Sequence, residues 1–130
     1  MLTEKDCCDY ETCVTLSELD PHMALNFEIS GKLSLYEAQK WLREEKSIIV
    51  TISIGYSHYS SDYPFYDKPI LKGYYYGIWE LDNLNDECGK SKYFDSYEEA
   101  LSEGIREAVK ILKRLKNQIT HLLNLLLYYV

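Results

Sequence analysis

The sequence predicts an α+β fold, in which an antiparallel three- to four-stranded sheet carries helices on one face and a long C-terminal helix follows. The β-branched run over residues 48–54 indicates a strand. The capping-box sequences that begin at Ser34 and Ser96 each open a helical pattern. The strands between them are joined by loops, so the core order is α-β-β-β-α and antiparallel pairing is favoured. The whole chain, residues 1–130, is expected to form one domain.

The first segment, residues 1–31, predicts a short helix followed by a short strand. Residues 6–19 have a helical pattern in which Asp6 can cap the first turn. Pro21 ends this helix, since the residue before a proline avoids helical backbone angles. Residues 23–29 alternate apolar and polar side chains, which indicates a strand.

The middle segment, residues 33–95, predicts one helix and three strands. The helix runs from Ser34 to Glu45, with an apolar stripe on one face. The three strands are predicted over residues 47–55, 72–81 and 90–94.

The last segment, residues 96–130, predicts a single amphipathic helix. Small Gly104 and Ala108 indicate that its first half packs closely on the sheet. A helix of about 33 residues is about 50 Å long, whereas a compact domain of this size is about 36 Å across, so the end should project. Its apolar residues recur every 3.5 positions, as in a coiled coil: they are Leu101, Ile105, Ala108, Leu112, Leu115, Ile119, Leu122 and Leu126.

The projecting half of this helix predicts a homo-oligomer, because monomers rarely expose so large an apolar patch. No polar residue occupies an a position there, so the sequence sets neither the register nor the number of copies. The alternative is that the tail folds back onto the N-terminal helix. The predicted oligomer interface consists of Leu112, Leu115, Ile119, Leu122, Leu123 and Leu126.

Thirteen tyrosines are an unusual number for 130 residues, and many fall in a long loop over residues 56–71 and the strand after it. Tyrosine is enriched at protein interfaces, which makes this stretch a candidate surface for a host or phage protein. The alternative is that these rings only cover the sheet. The candidate partner-binding surface consists of Tyr59, Tyr63, Tyr66, Tyr74, Tyr76 and Trp79.

A basic band on the last helix raises the alternative of nucleic-acid binding. It consists of Arg106, Lys110, Lys113, Arg114 and Lys116. Glutamates one or two turns earlier balance these charges, which is typical of a solvated helix face. The net charge of −7 also disfavours binding to phosphates.

The sequence predicts no enzyme, cofactor or metal site. His58, Asp62 and Asp67 share a polar loop, but their spacing matches no catalytic or metal motif. Cys88 follows two acidic residues, which raise the pKa of a thiol and make it a poor nucleophile.

The cysteines at the N-terminal end are expected to be free, buried or half-buried thiols. Zinc binding by Cys7, Cys8, Cys13 and His22 is the alternative, although adjacent cysteines match none of the usual ligand spacings. No secretion signal precedes them, which favours the cytoplasm. The longest apolar stretch, residues 119–130, is shorter than the roughly 20 residues that span a bilayer.

Three segments resemble a known family: LTEKDCCDYETCV at residues 2–14, SLYEAQKWLREEK at 34–46, and SYEEALSEGIREA at 96–108. The chain resembles a family of small uncharacterised proteins from prophages and mobile elements of gut Bacteroidales. The resemblance implies an accessory protein of a mobile element and supplies no catalytic residue.

The predicted α-β-β-β-α order also resembles the double-stranded-RNA-binding domain. That family contacts phosphates through lysines at the start of its final helix. The matching positions here are Glu98, Glu99 and Glu103. The resemblance therefore extends to the shape and not to the charge that RNA binding requires.

Overall fold

The computed structural model describes residues 3–59, 68–80 and 87–129, and its elements pack as an α+β fold. A short 3₁₀ turn at Glu4–Asp6 comes first. The α+β class, the antiparallel sheet and the long C-terminal helix are as predicted. The elements are α1 (Tyr10–Leu19), α2 (Pro21–Ser30), α3 (Leu35–Glu45), β1 (Ile48–Tyr59), β2 (Lys68–Glu80), β3 (Glu87–Lys90) and α4 (Tyr97–Tyr128).

The predicted strand over residues 23–29 is wrong, because this segment belongs to helix α2. Asp20 caps the helix by accepting a hydrogen bond from the backbone N–H of Met23 at 3.1 Å. Pro21 occupies the first helical position, where its missing N–H costs nothing. Gly31 ends the helix with a left-handed φ of 71°, a conformation that suits glycine. These start and stop signals outweigh a short alternation of apolar and polar residues.

Helix α1 begins later than predicted, at Tyr10, and its cap is Asp9 rather than Asp6. The carboxylate of Asp9 accepts a hydrogen bond from the backbone N–H of Thr12 at 2.7 Å. Asp6 instead accepts hydrogen bonds from Thr3 at the preceding 3₁₀ turn.

Strands β1 and β2 pair antiparallel, from Ile48 opposite Glu80 to Tyr59 opposite Lys68. Both strands are longer than predicted. The short strand β3 pairs with the end of β2. The third strand was predicted over residues 90–94, whereas in the structure only Phe94 of its later part makes an isolated bridge, to Tyr74.

The core lies between the sheet and the helices. Alternate residues of β1 and β2 face α3 and α4, since side chains alternate across a strand. The fully or nearly fully buried core residues on these elements include Leu35, Ala38, Leu42, Ile48, Val50, Ile78, Ile105, Ala108 and Val109.

Candidate interaction surface on the C-terminal helix

Helix α4 leaves the domain about halfway along its length. It is buried against the sheet as far as Val109, and Ile111 and Leu112 are half-buried. Every residue over 113–129 is exposed. At 1.5 Å per residue this exposed stretch is about 25 Å long. The tail therefore does not fold back onto the N-terminal helix, which was the alternative to an exposed interface.

An apolar stripe, here called the tail stripe, runs along the projecting half of α4. With 100° between successive residues, its members fall within an arc of about 100°, and polar residues such as Asn117, His121 and Asn124 lie on the other side. Five of its members are between 43% and 63% exposed, so one copy of the chain leaves the stripe largely uncovered. The tail stripe consists of the half-buried Leu112 and the exposed Leu115, Ile119, Leu122, Leu123 and Leu126.

The helix ends in three exposed apolar residues that the predicted interface omits. Leu127 is 75% exposed, and Tyr128 and Tyr129 are each 82% exposed. The two tyrosine rings contact each other edge to face, with centroids 5.4 Å apart. The run of apolar residues over 125–129 was the sequence signal for this apolar tip, but it departs from the heptad pattern that selected the other residues.

A cavity of about 420 Å³ lies where α4 leaves the domain. We call it the root cavity. The Nζ atom of Lys116 lies 3.5 Å from the backbone oxygen of Glu18, at the end of α1. The root cavity is lined by Leu19, Lys46, Leu112, Leu115, Lys116, Ile119 and Thr120. Its wall is therefore largely apolar and joins the start of the tail stripe.

Arg106, the first residue of the basic band, is paired with carboxylates of its own chain. Its Nε atom donates to Asp9 at 3.0 Å, and its Nη1 atom lies 3.1 Å from a Glu103 oxygen. Partial burial acts to raise the pKa of the Asp9 carboxyl, but hydrogen bonds from Thr12 and Arg106 outweigh it and hold that pKa below its ordinary value. This ion pair joins the start of α1 to α4.

The remaining basic residues lie between the buried and the apolar parts of α4. Lys110, Lys113 and Arg114 line one open cavity on this helix, together with Glu107 and Asn117. Residues 117–129 contain no Asp, Glu, Lys or Arg. The charge of the projecting half is thus concentrated at its root.

The tyrosines of the candidate partner-binding surface that the structure describes are half-buried in contacts within the chain. Tyr74 meets Tyr97 of α4 edge to face, and Tyr76 stacks on Phe94. Burial, followed by the nearby Glu107 and Glu103 carboxylates, raises the pKa of Tyr76. The ring of Tyr76 also packs against the core.

Trp79 lies on the opposite face of β2 from these two tyrosines, and its indole N–H donates to the Thr51 hydroxyl at 3.2 Å. Tyr63 and Tyr66 fall outside the described residues, and Tyr59 is described only by its backbone in β1. The described members are therefore divided between two faces of the sheet.

The other candidate sites are not assembled in the described part of the chain. Asp62 and Asp67 lie outside it, and the backbone of His58 pairs with β2. His22 lines a cavity on α2 and α3 that contains none of the N-terminal cysteines. Among residues 3–59, 68–80 and 87–129, no group of three or more His, Cys, Asp or Glu side chains is placed to hold a metal ion.

No protein-family model, curated protein or solved structure matches the chain. Within the described ranges, no helix combines the length and apolar character that crossing a bilayer requires. Function is therefore inferred from the geometry and chemistry of the molecule, in which a projecting amphipathic helix is the most prominent feature.

Proposed function

We propose that the protein is a non-enzymatic accessory protein that self-associates through the tail stripe of α4. The observation that carries this proposal is the exposure of the tail stripe along about 25 Å of helix. Burying one leucine side chain fully stabilises an assembly by roughly 1.5–3 kcal/mol. A stripe of this size can therefore offset the cost of bringing two chains together, which is about 4–15 kcal/mol.

The tail stripe matches a second copy of itself. Apart from Leu123, its residues alternate at steps of three and four, and in this 3.5-residue pattern each apolar side chain can fit between side chains of a similar helix. The two ends of the stripe are also complementary, since the root cavity has apolar walls and the tip carries Leu127, Tyr128 and Tyr129. A second copy of the chain supplies both a root cavity for the tip of the first copy and a tip for its root cavity.

The position of Lys116 beside the tail stripe favours an antiparallel pair. In a parallel pair, the Lys116 side chains of the two copies stand at the same level, where like charges repel. In an antiparallel pair, Lys116 lies near the uncharged C-terminal end of the second copy's helix, which is partly negative and attracts a cation.

The position of the domain on α4 selects one antiparallel register. When Ile119 lies opposite Leu122 of the second copy, Leu115 lies opposite Leu126, and the apolar tip reaches the root cavity. A shift of one heptad toward the domain brings Leu126 of the second copy to Ala108, which is fully buried against the sheet. A shift the other way removes a heptad of contact. The overlap between the two tail stripes is therefore largest in the register that places Ile119 opposite Leu122.

We expect the full chain to be a dimer and a chain that ends at Lys116 to be a monomer. The shorter chain keeps every buried core residue but loses most of the tail stripe. Light scattering coupled to size-exclusion chromatography measures both molar masses, and circular dichroism checks that the shorter chain is folded. A monomeric full chain at micromolar concentration contradicts self-association.

The antiparallel orientation predicts which positions can be cross-linked. Chains carrying Leu115→Cys and chains carrying Leu126→Cys, both with Cys88→Ser, are mixed and oxidised. The expected product joins one chain of each kind, whereas each variant alone should remain largely unlinked. Cys88→Ser alone is the control for reaction of the native thiols. Cross-linking of Leu115→Cys chains to each other without the second variant indicates a parallel pair and overturns the proposed orientation.

We further propose that the protein acts in the cytoplasm as a mobile-element accessory protein that binds a host or phage protein through residues of the tyrosine-rich stretch over residues 56–79. The resemblance to prophage proteins and the abundance of tyrosine support this role. The antiparallel pair does not favour the nucleic-acid alternative, because it separates the two basic bands to opposite ends instead of joining them into one positive stripe.

A further inference from the structure

Cys8 and Cys13 stand on either side of the first turn of α1. Cys8 directly precedes the cap residue Asp9, and Cys13 is the fourth residue of the helix. These are the positions that form a hydrophobic staple when both side chains are apolar. Both side chains are buried, and both are free thiols. The local fold therefore places two thiols against each other at a helix start.

Hydrogen bonds hold the two thiols in place. The Sγ atom of Cys13 donates to the backbone oxygen of Cys8 at 3.7 Å, and the Sγ atom of Cys8 donates to the backbone oxygen of Ser34 at 3.8 Å. The two thiols are close enough for each to shift the pKa of the other. The backbone N–H of Cys8 is fixed by the oxygen of Leu33 at 2.8 Å.

A cavity of about 570 Å³ is lined by Cys7, Cys8 and Cys13, together with Tyr10 and Phe27. This cavity gives a small molecule a path to thiols that the protein surface otherwise covers. Its charged lining combines the carboxylates of Glu4, Asp9, Glu98 and Glu99 with the ammonium groups of Lys5 and Lys32. Hydrogen peroxide is small and uncharged, so neither the size nor the charge of the cavity bars it from the thiols.

The contact between the thiols makes them chemically different. The neighbouring Cys8 thiol lowers the pKa of Cys13, and the backbone at Leu33 acts in the same direction against the effect of burial. The neighbouring Cys13, followed by burial, raises the pKa of Cys8. Cys13 is therefore the thiol that loses its proton more readily to give the reactive thiolate, while Cys8 keeps its proton.

We propose that Cys8 and Cys13 form a peroxide-sensitive pair that closes into a disulfide within one chain. The Cys13 thiolate attacks one oxygen of the peroxide, so that an S–O bond forms, the O–O bond breaks and hydroxide leaves. The product is a sulfenic acid on Cys13.

The Cys8 sulfur then attacks the Cys13 sulfur, so that an S–S bond forms and the S–O bond breaks. Water leaves, taking the proton of the Cys8 thiol. Both thiols lie at the same helix start and line the same cavity, so an S–S bond of about 2.05 Å closes within one turn of the chain. A small-molecule dithiol supplies the two electrons and two protons that reverse the reaction.

The test uses the full reduced chain, hydrogen peroxide as the oxidant and mass spectrometry after alkylation of the remaining thiols. We expect peroxide to remove two thiols per chain and to yield a peptide that links Cys8 to Cys13. Dithiothreitol should restore both thiols. Retention of all thiols, or a link through Cys7 or between chains, overturns the proposal.

Two single variants assign the roles. In Cys8→Ser no disulfide forms with Cys13, so dimedone should trap a sulfenic acid there. Cys7→Ser is the matched control on the neighbouring residue, and it should still form the Cys8–Cys13 link. Failure of Cys7→Ser to form that link, in a chain with the circular dichroism of the folded protein, contradicts the assignment.

The pH dependence of the oxidation rate separates this pair from ordinary thiols. Because the pKa of Cys13 lies below its ordinary value, its thiolate fraction levels off at a lower pH than that of an unperturbed cysteine. An unperturbed cysteine, with a pKa of about 8.5, continues to gain thiolate above pH 8. We expect the rate of disulfide formation in the full chain to level off, and a continued rise contradicts the proposed role of Cys13.

Discussion

Replacing Leu122 by Glu is expected to convert the self-associated protein into a monomer while leaving its domain folded. In the proposed pair, Leu122 lies opposite Ile119 of the second copy, and two-fold symmetry repeats this contact. The substitution removes two buried leucine side chains, worth roughly 1.5–3 kcal/mol each, and puts two carboxylates in an apolar interface. Since each 1.4 kcal/mol is a factor of ten, Kd should rise at least about 100-fold.

The stability of the single domain should hardly change, because Leu122 is 59% exposed in one copy of the chain. A loss of association without a loss of domain stability would therefore identify Leu122 as an interface residue and not as a core residue. Sedimentation equilibrium measures Kd, and urea unfolding of the dissociated chain measures the stability of the domain.

Asn124→Glu is the matched control. It adds the same charge to the same part of α4, but on the polar side, away from the tail stripe. We expect Asn124→Glu to keep the molar mass of the unmodified chain. If both variants dissociate, the added charge and not the tail stripe explains the effect. If neither variant dissociates, the copies associate elsewhere.

The parts of the fold that follow from local patterns could be predicted. The hydroxyl of Ser34 accepts a hydrogen bond from the backbone N–H of Glu37 at 3.0 Å, and the hydroxyl of Ser96 accepts one from Glu99 at 3.1 Å. Both helix starts lie where the capping boxes indicated them. Such signals act within three or four residues, so the sequence contains all the information they need.

The tail stripe was also predictable as a pattern, but the point where α4 leaves the domain was not. The 3.5-residue repeat is the same above and below Leu112, whereas its upper part is buried against the sheet and its lower part is exposed. Only the length of the sheet and the placement of α1 and α3 decide where burial ends. For the same reason the root cavity had no sequence signal.

Contacts between distant positions account for the other differences. Arg106 was interpreted as part of a basic band, but it pairs with Asp9, which lies 97 positions earlier. Tyr74, Tyr76 and Trp79 were grouped by their closeness in sequence, whereas strand alternation places them on two faces. Their neighbours in space come from other elements, which a local reading of the chain does not reveal.

Substituting Gly104 by Ala is expected to destabilise the domain by about 1–3 kcal/mol, the usual cost of overfilling a packed core. At an exposed helical position the same change stabilises by about 1 kcal/mol, because alanine favours the helix. Here a Cβ atom would lie 2.7 Å from Cγ1 of Val50 and 3.0 Å from Cβ of Tyr76. The first distance is shorter than carbon atoms tolerate and the second is tight, so packing outweighs helix propensity and the net effect changes sign.

The neighbours of Gly104 have little freedom to give way. Val50 is buried on β1, and the ring of Tyr76 is stacked on Phe94. Relaxation must therefore move α4 away from the sheet, which opens space around Ile105 and Ala108, both fully buried. Gly104→Leu adds three more carbon atoms and should lower the free energy of unfolding more than Gly104→Ala does.

Urea unfolding in the Leu122→Glu background measures these losses on a single domain, so that association does not contribute to the free energy of unfolding. Lys113→Ala, at an exposed position of the same helix, is the control for helix propensity and should be neutral or slightly stabilising. A gain in stability from Gly104→Ala would contradict the close approach of α4 to the sheet. Since that approach fixes where α4 leaves the domain, the gain would also remove the basis of the proposed antiparallel register.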